Sequence, residues 1–220
     1  MKTFTIFDTE TTGLFNTKDK PKQGIFKARN PMLFPEDYPR IFQIAWIRMK
    51  EDGTILEEFS EFIKPDGWVI PTGPGNEFWA DHGYSTEECE RIGIPIELAM
   101  EKFALSLHQS DYLVAHNIDF DKPVTIAELA RAKTKFPKGY KKPKILCTMK
   151  TTINFVNAPH SKENQEKWAF LRGKPKFPKL EELHEKLFSC GFENAHDALF
   201  DVRATFRCLK EIKKLGLINY

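Results

Sequence analysis

The chain has 220 residues, which is long enough to bury a hydrophobic core without disulfide or metal cross-links. An apolar content of 41% and a charged content of 29% exclude intrinsically disordered, collagen-like and disulfide-scaffold proteins. No apolar run approaches the roughly 20 residues that span a bilayer. Asp8 also interrupts the stretch in which a signal peptide would be uncharged. We therefore expect a cytoplasmic protein with no membrane partner.

Two basic stretches interrupt the regular patterning, at about residues 15–40 and 157–179. Both are rich in Pro and Lys and lack the periodicity of a long helix or strand, which is typical of surface excursions. The four Cys residues are far apart and form no metal-binding or redox pair, so we expect free thiols. No repeat or linker divides the chain, and a single domain over residues 1–220 is expected.

The first predicted elements are three strands. β-branched and aromatic residues mark residues 4–10, and a Thr-Thr-Gly turn ends this run. Residues 41–49 and 55–63 form two further runs, and the Glu-Asp-Gly sequence between them is typical of a hairpin. These segments predict an antiparallel meander.

The rest of the chain alternates helical and strand patterns. Ser85 with Glu88 predicts a capped start for a short helix. A proline in the first turn indicates a helix over 123–133, and Gly191 is expected to stop a helix over 180–189. We further predict helices over residues 94–108 and 197–215, a short helix near 163–170, and strands over 111–116 and 144–147. An α/β fold follows.

Asp8 and Glu10 are the first candidate functional pair. Because side chains alternate along a strand, these two carboxylates point to the same face and lie within about 7 Å of each other. Two buried anions are costly unless they are protonated, paired with a base or bound to a cation. An all-oxygen site prefers Mg²⁺, Mn²⁺ or Ca²⁺ to zinc. The alternative is that the strand ends early and the pair is solvated in a loop.

Two later segments favour the functional interpretation of this pair by their order and spacing. The sequence DTETTGL at residues 8–14 is followed by HNIDFD at 116–121 and HDALFD at 196–201. Together these three segments resemble the motifs of the DnaQ-like (DEDDh) 3′-to-5′ exonucleases, a family that includes proofreading subunits and RNase T. The resemblance runs from about Thr3 to Lys214 and leaves out the two basic stretches.

The resemblance implies an RNase H-like fold, with a central mixed five-stranded sheet flanked by helices. It also implies that four acids hold two divalent cations, Mg²⁺ or Mn²⁺. In the second motif the family places its acid after the Phe, which favours Asp121 over Asp119 and leaves Asp119 as a surface or helix-capping residue. The metal ligands are then expected to be Asp8, Glu10, Asp121 and Asp201.

His196 is the expected general base. Five positions correspond to about 140° of rotation around a helix, so His196 and Asp201 face one site only if His196 precedes the helix. An imidazole has an ordinary pKa near 6.5, which suits it to take a proton from water.

The resemblance also suggests substrate contacts. Similar enzymes hold the terminal nucleotide on the backbone after the second acid, where the residue at Leu14 packs against the base. His82 matches a substrate-contacting position, and Asn117 is expected to brace the site. The Lys residues directly after the first motif are the expected phosphate contacts. The candidate substrate-binding residues are Thr11, Thr12, Gly13, Leu14, His82, Asn117, Lys18, Lys20 and Lys22.

The predicted function is release of nucleoside 5′-monophosphates from the 3′ end of a nucleic acid. Single-stranded DNA is favoured, RNA remains open, and a polymerase or replisome subunit is a further expected partner. Two alternatives stay open. One is an RNase H-like endonuclease, which would not need His196. The other is a catalytically inactive nucleic-acid-binding accessory domain.

Overall fold

The structure is a computed structural model that describes residues 1–14 and 29–219. Its centre is one five-stranded sheet in the order β3-β2-β1-β4-β5, in which β1 pairs antiparallel with β2 and parallel with β4. This confirms the predicted mixed sheet. The strands are β1 (Thr3–Thr11), β2 (Ile41–Lys50), β3 (Ile55–Phe62), β4 (Tyr112–Ala115) and β5 (Lys144–Cys147). The predicted single domain over residues 1–220 stays a prediction.

Helices cover both faces of the sheet. Their bounds are α1 (Glu77–Asp81), α2 (Thr86–Ile92), α3 (Ile96–His108), α4 (Ile118–Arg131), α5 (Thr148–Thr151), α6 (Ile153–Val156), α7 (Lys162–Lys167), α8 (Leu180–Phe188) and α9 (Ala198–Lys214). Short 3₁₀ turns occupy Pro35–Asp37 and Ala169–Leu171. Ser85 accepts a hydrogen bond from the amide of Glu88 at 3.1 Å, as the predicted cap requires.

Alternation along β1 separates two hydrophobic cores. Phe7 packs against α3 and α4 on one face, whereas Phe4 and Ile6 pack against α8 and α9 on the other. The strand is therefore buried on both sides, as expected at the centre of a sheet flanked by helices. Asp8 and Glu10 continue the parity of Phe4 and Ile6, so they point toward α9.

Two helix ends differ from the predictions. The helix predicted over 123–133 begins five residues earlier, at Ile118, so Pro123 lies inside α4 rather than in its first turn. Asn117 causes the early start, because its left-handed backbone (φ 66°) turns the chain directly from β4 into the helix. In α8, Ser189 itself adopts the left-handed conformation that ends the helix (φ 57°), ahead of the predicted stop at Gly191.

The first basic stretch rejoins the sheet through a buried ion pair. Glu128 of α4 is fully buried and accepts from Arg40 Nε at 2.8 Å and from the amide of Ile41 at 3.2 Å. Arg131 Nη1 lies 2.9 Å from the same carboxylate. Lys18, Lys20 and Lys22, which were predicted to contact phosphates, lie outside the described residues.

The second basic stretch contains α7 and a 3₁₀ turn, which confirms the short helix predicted near 163–170. All four Cys residues are free thiols, as expected. Within residues 1–14 and 29–219, no helix combines the length and the apolar character needed to cross a bilayer.

Candidate active site

The first two acids lie at the carboxyl end of the central strand. In the ladder between β1 and β2, Asp8 pairs with Ala45 and Glu10 with Gln43. Paired residues share a face, so the small side chain of Ala45 leaves room around the Asp8 carboxylate. The register shifts directly after Glu10, and β1 ends one residue later, at Thr11.

Asp121 reaches the same place from the neighbouring strand. β4 runs parallel to β1, so the carboxyl ends of both strands meet at one edge of the sheet. α4 begins at that edge with Asp121 in its first turn, where the carboxylate is buried and accepts from Thr9 Oγ1 at 2.8 Å. The rival acid of this motif, Asp119, has a side chain that is 61% exposed and ion-paired with Lys150, so it is the surface residue that was expected.

The third motif brings Asp201 and His196 to the same edge. Asp201 lies in the first turn of α9, and its Oδ2 accepts from the backbone amide of His196 at 3.3 Å. His196 precedes the helix in a left-handed conformation (φ 72°), which confirms that it lies outside the helix. Ligand atoms of Glu10, His196 and Asp201 all lie within 4.8 Å of one another.

The clustered acids strongly disfavour their own ionisation. Burial raises the pKa of Asp8 well above its usual range, and the charges of Asp121 and Asp197 add to the effect. Burial, followed by the charges of Asp8 and Asp201, raises the pKa of Glu10 to about 10. Burial is also the main cause that raises the pKa of Asp121 to about 7 and that of Asp201 to about 8.

This electrostatic strain fits a site for divalent cations. Among the described residues, no Lys or Arg lies within ion-pair distance of Asp8, Glu10, Asp121 or Asp201. A cluster of buried carboxylates without a basic partner is costly, and a bound cation removes the cost. The donor set is oxygen-rich, as Mg²⁺ and Mn²⁺ prefer, with one imidazole nitrogen close by.

The His196 ring is held among polar and aromatic neighbours. Its centroid lies 5.0 Å from that of Phe78 and 5.2 Å from that of His82, both edge to face. Nε2 of His196 lies 3.8 Å from Oε1 of Glu181 on α8. Burial lowers the pKa of His196, and the Glu181 carboxylate opposes that shift. The imidazole is therefore predominantly neutral at neutral pH and able to accept a proton.

His82 lies beside this imidazole. Its Nδ1 donates to the carbonyl of Phe78 at 2.6 Å, because a carbonyl oxygen only accepts. In the neutral ring this leaves Nε2 as the acceptor. The substrate contact that the sequence predicted for His82 remains a proposal, now with a defined neighbour in His196.

A polar network that the motifs did not indicate holds the start of α9. Gln43 Nε2 donates to Asp197 at 3.0 Å, and Gln43 Oε1 accepts from the amide of Ala198 at 3.1 Å. Tyr84 donates its hydroxyl proton to the carbonyl of His196 at 2.5 Å. Asp197 itself caps α9 by accepting from the amides of its first turn. The single sequence signal for Gln43 was a polar residue among the apolar residues 41–47 of β2.

A groove of about 530 Å³ opens next to the acids. Residues 11–14 line it together with three aromatic residues, Phe78, Trp79 and Phe120. Trp79 is fixed there, because its Nε1 donates to the carbonyl of Thr11 at 3.1 Å. Leu14 is 82% exposed at the rim. The predicted nucleotide-binding backbone thus lines an aromatic-walled groove.

Asn117 stands apart from this groove. Its side chain makes no capping hydrogen bond to α4, and it is its left-handed backbone that directs Asp121 into the site. The bracing role predicted for Asn117 stays a prediction.

Comparison with known proteins places these features in a family. The sequence model of a family described as "Exonuclease", of the RNase T type, matches residues 5–209. No curated protein sequence matches significantly.

Solved structures of exonuclease I share the fold. One is the Escherichia coli enzyme in complex with a dA16 oligonucleotide, with a TM-score of 0.68 and 21% identity over 99% of this chain and 42% of that one. Another is its zinc-bound complex with single-stranded DNA, with a TM-score of 0.67 and 21% identity over 98% and 41% of the two chains. The chain therefore spans about two fifths of the length of these structures.

Proposed function

Because the chain belongs to the exonuclease family and is thereby a nuclease, we propose that it removes nucleoside 5′-monophosphates from the 3′ ends of nucleic acids. One observation carries the proposal: four carboxylates from three separate segments converge beside one imidazole, with no basic partner within the described residues. Such a cluster is strained by itself and becomes favourable once it holds cations.

We assign the four acids to two divalent cations, Mg²⁺ or Mn²⁺. Asp8, Glu10 and Asp201 would hold one cation, and Asp8 with Asp121 the other. When bound, such a pair neutralises the phosphoryl oxygens and the leaving oxygen and makes a water more acidic. The close approach of Glu10 and Asp201 supports the first group, and the hydrogen bond from Thr9 fixes the orientation of Asp121.

His196 would take the proton from the attacking water. Two features support this role: burial lowers the pKa of the imidazole, and its ring nitrogen lies within 4.8 Å of the Glu10 and Asp201 oxygens. The left-handed backbone of His196 places the ring outside the helix that carries Asp201. The imidazole and the carboxylate therefore face the same space.

The terminal nucleotide would occupy the aromatic-walled groove. Backbone groups of residues 11–14 would contact its sugar and phosphate, and Leu14 with Phe78 or Phe120 would contact the base. Apolar and aromatic contact of this kind accepts every base, as an exonuclease requires. Single-stranded DNA is the favoured substrate, in line with the oligonucleotides bound in the exonuclease I complexes, and RNA remains open.

The test is hydrolysis of a 5′-labelled single-stranded oligonucleotide with Mg²⁺, with Mn²⁺ and with chelator. We expect stepwise shortening from the 3′ end that stops in chelator. Internal fragments would support an RNase H-like endonuclease instead, and retention without cleavage would support an inactive binding domain. A matched RNA and a mismatched duplex in the same assay decide the substrate.

Two variants test the residue roles. Asp8→Ala should abolish cleavage, and His196→Ala should lower kcat by about 10²- to 10⁴-fold, the usual contribution of a general base. Cleavage by His196→Ala at the rate of the unaltered protein would remove the imidazole from the mechanism.

A further inference from the structure

The second basic stretch presents three aromatic side chains to solvent. Trp168 is 50% exposed, Phe170 64% and Phe177 55%. Large aromatic side chains usually bury most of their area, so three exposed rings in one short stretch indicate a binding surface. We call the exposed side chains of residues 162–179 the aromatic–basic surface.

Cations alternate with these rings. The Lys167 ammonium lies 5.9 Å from the centroid of the Trp168 ring, and the Lys174 ammonium lies 5.9 Å from that of Phe170. The Trp168 and Phe170 rings are 6.1 Å apart. Exposed aromatic rings with lysine ammonium groups close by match the bases and the phosphates of a single strand.

The charge of this stretch is strongly positive. Residues 157–179 contain six Lys or Arg and two Glu. Lys176 is ion-paired with Glu182. The other five basic residues have no carboxylate within ion-pair distance in the described part of the chain: Lys162, Lys167, Arg172, Lys174 and Lys179.

Hydrogen bonds hold the stretch in one shape. Pro159 and Pro175 form an antiparallel bridge, and the amide of Lys176 donates to the carbonyl of Ala158 at 2.8 Å. Within the loop, Arg172 Nε donates to the carbonyl of Gln165 at 3.2 Å. The rings are therefore presented by an ordered loop, which lowers the entropic cost of binding.

The surface adjoins the candidate active site. β5 is parallel to β4 and β1, so it ends at the sheet edge that carries the acids, and only α5 and α6 lie between it and this stretch. His116, in the second motif, donates from Nε2 to the carbonyl of Pro178 at 2.9 Å. Phe177 precedes this anchored residue, and Lys179 after it lies close enough to act electrostatically on His196.

We propose that the aromatic–basic surface binds the part of a single-stranded nucleic acid that lies 5′ of the terminal nucleotide. The inference rests on the proposed function, which places the 3′ end in the groove and leaves the rest of the strand to cross the neighbouring surface. Successive bases stack on Phe177, Phe170 and Trp168, while the unpaired cations contact the phosphates.

Charge favours this occupant over an apolar one. A second copy that docks through this same surface, or an apolar protein face, would desolvate the five unpaired cations without compensation. A polyanion instead compensates them and releases its own counterions.

The first experiment measures binding without hydrolysis. Fluorescence anisotropy of labelled dT₄, dT₈ and dT₁₂ in EDTA compares the unaltered protein with Trp168→Ala/Phe170→Ala and with Lys167→Gln/Lys174→Gln. We expect each double variant to weaken dT₁₂ binding at least about tenfold, given the usual contribution of stacking. The loss of affinity should be smaller for dT₄ than for dT₁₂. The lysine variant should also reduce the salt dependence, whereas the aromatic variant should not.

Lys138→Gln/Lys142→Gln is the matched control, because these lysines are equally exposed and lie in the separate basic run before β5. Equal affinity of dT₁₂ for the aromatic variant and the unaltered protein overturns the proposal. A loss of dT₁₂ affinity in the control variant that equals the loss in the aromatic variant also overturns it. A change of oligomeric state in the aromatic variant, measured by light scattering with dT₁₂ affinity retained, would assign the surface to self-association.

The second experiment separates this proposal from the proposed function. Hydrolysis is followed on dT₁₂ and on a dinucleotide that is too short to leave the groove. The proposal expects the aromatic variant to raise KM for dT₁₂ about tenfold or more, with a much smaller change for the dinucleotide. If the unaltered protein hydrolyses neither substrate, the proposed function fails, while the anisotropy series still decides whether the surface binds single strands.

Discussion

The Nε2 atom of His196 lies 3.8 Å from Oε1 of Glu181, which projects from the first turn of α8. This carboxylate lies outside the cluster of acids on β1, α4 and α9. It raises the pKa of His196, while burial lowers it. The two residues therefore set the protonation of the expected base together.

Replacing Glu181 should shift the pH dependence of hydrolysis. In Glu181→Gln the imidazolium loses a favourable charge, so the pKa of His196 falls and the acidic limb of the pH–kcat profile moves to lower pH. The shift should be a few tenths of a pH unit, because both side chains are over a third exposed and solvent screens them. Glu185→Gln, on an exposed turn of the same helix, is the control. A limb that stays in place or moves to higher pH contradicts this assignment.

The metal-free protein should lose stability as pH rises. The pKa of Asp121 is raised to about 7, that of Asp201 to about 8 and that of Glu10 to about 10. Above pH 4 the folded state thus binds more protons than the unfolded chain, and the free energy of unfolding decreases with increasing pH. We expect a lower Tm at pH 8 than at pH 5.5 in EDTA. Mg²⁺ should raise Tm at pH 8 by binding the folded state alone. The opposite pH trend in EDTA would show that the acids are not strained.

Asp8→Asn should stabilise the metal-free protein while abolishing cleavage. The substitution keeps the shape of the side chain and removes a carboxyl group whose ionisation is disfavoured by burial and by the charges of Asp121 and Asp197. We expect the free energy of unfolding in EDTA at pH 8 to rise, measured by urea denaturation. Asp119→Asn is the matched control, since Asp119 is exposed and paired with Lys150. Destabilisation by Asp8→Asn would show that the carboxylate is favourably paired without metal.

Tyr84→Phe should slow catalysis with little effect on substrate binding. The lost hydroxyl donates to the carbonyl of His196, whose left-handed backbone is intrinsically unfavourable. We expect kcat to fall about 3- to 30-fold, KM to change less than twofold, and stability to fall by about 1 kcal/mol. Tyr140→Phe removes a hydroxyl on the loop before β5 and should change none of these. Unchanged kcat in Tyr84→Phe would mean that this hydrogen bond does not position the imidazole.

Neutralising the lysines after the first motif should weaken the salt dependence of binding. Lys18→Gln/Lys20→Gln/Lys22→Gln removes three expected phosphate contacts, each of which contributes about 0.7 to the slope of log K against log salt for single strands. The slope measured on dT₁₂ should therefore decrease by about 2. An equal slope in the variant and the unaltered protein would remove these residues from the interface.

Sequence patterning predicted the sheet because apolar alternation is a direct signal of strands. All five predicted strands are present, and the tight hairpin between β2 and β3 follows its turn residues. The predicted start of α4 was wrong because Pro123 was taken to lie in the first turn of the helix. The left-handed Asn117 began the helix earlier, and sequence rules do not anticipate that conformation for a particular Asn.

The convergence of the four acids was predictable because each lies in a sequence motif at the end of a strand or the start of a helix. Their supporting residues were not, because they reach the site from distant segments. Tyr84 lies 112 positions from His196, and Gln43 lies 154 positions from Asp197. Glu181 likewise comes from a helix outside all three motifs. Such contacts depend on the packing of α8 and α9 against the sheet, which no local pattern encodes.

The chain leaves the sheet at Thr12 and returns at Arg40, where the amide of Thr12 donates to the Arg40 carbonyl at 2.9 Å and Thr12 Oγ1 accepts from the Arg40 amide at 3.1 Å. These two hydrogen bonds close the ends of the intervening stretch against each other. Asp8 and Glu10 precede Thr12 and are held in place by their pairing with β2. A change in the number of residues between Thr12 and Arg40, by insertion or deletion, can thus be accommodated without displacing Asp8 and Glu10 on the central strand.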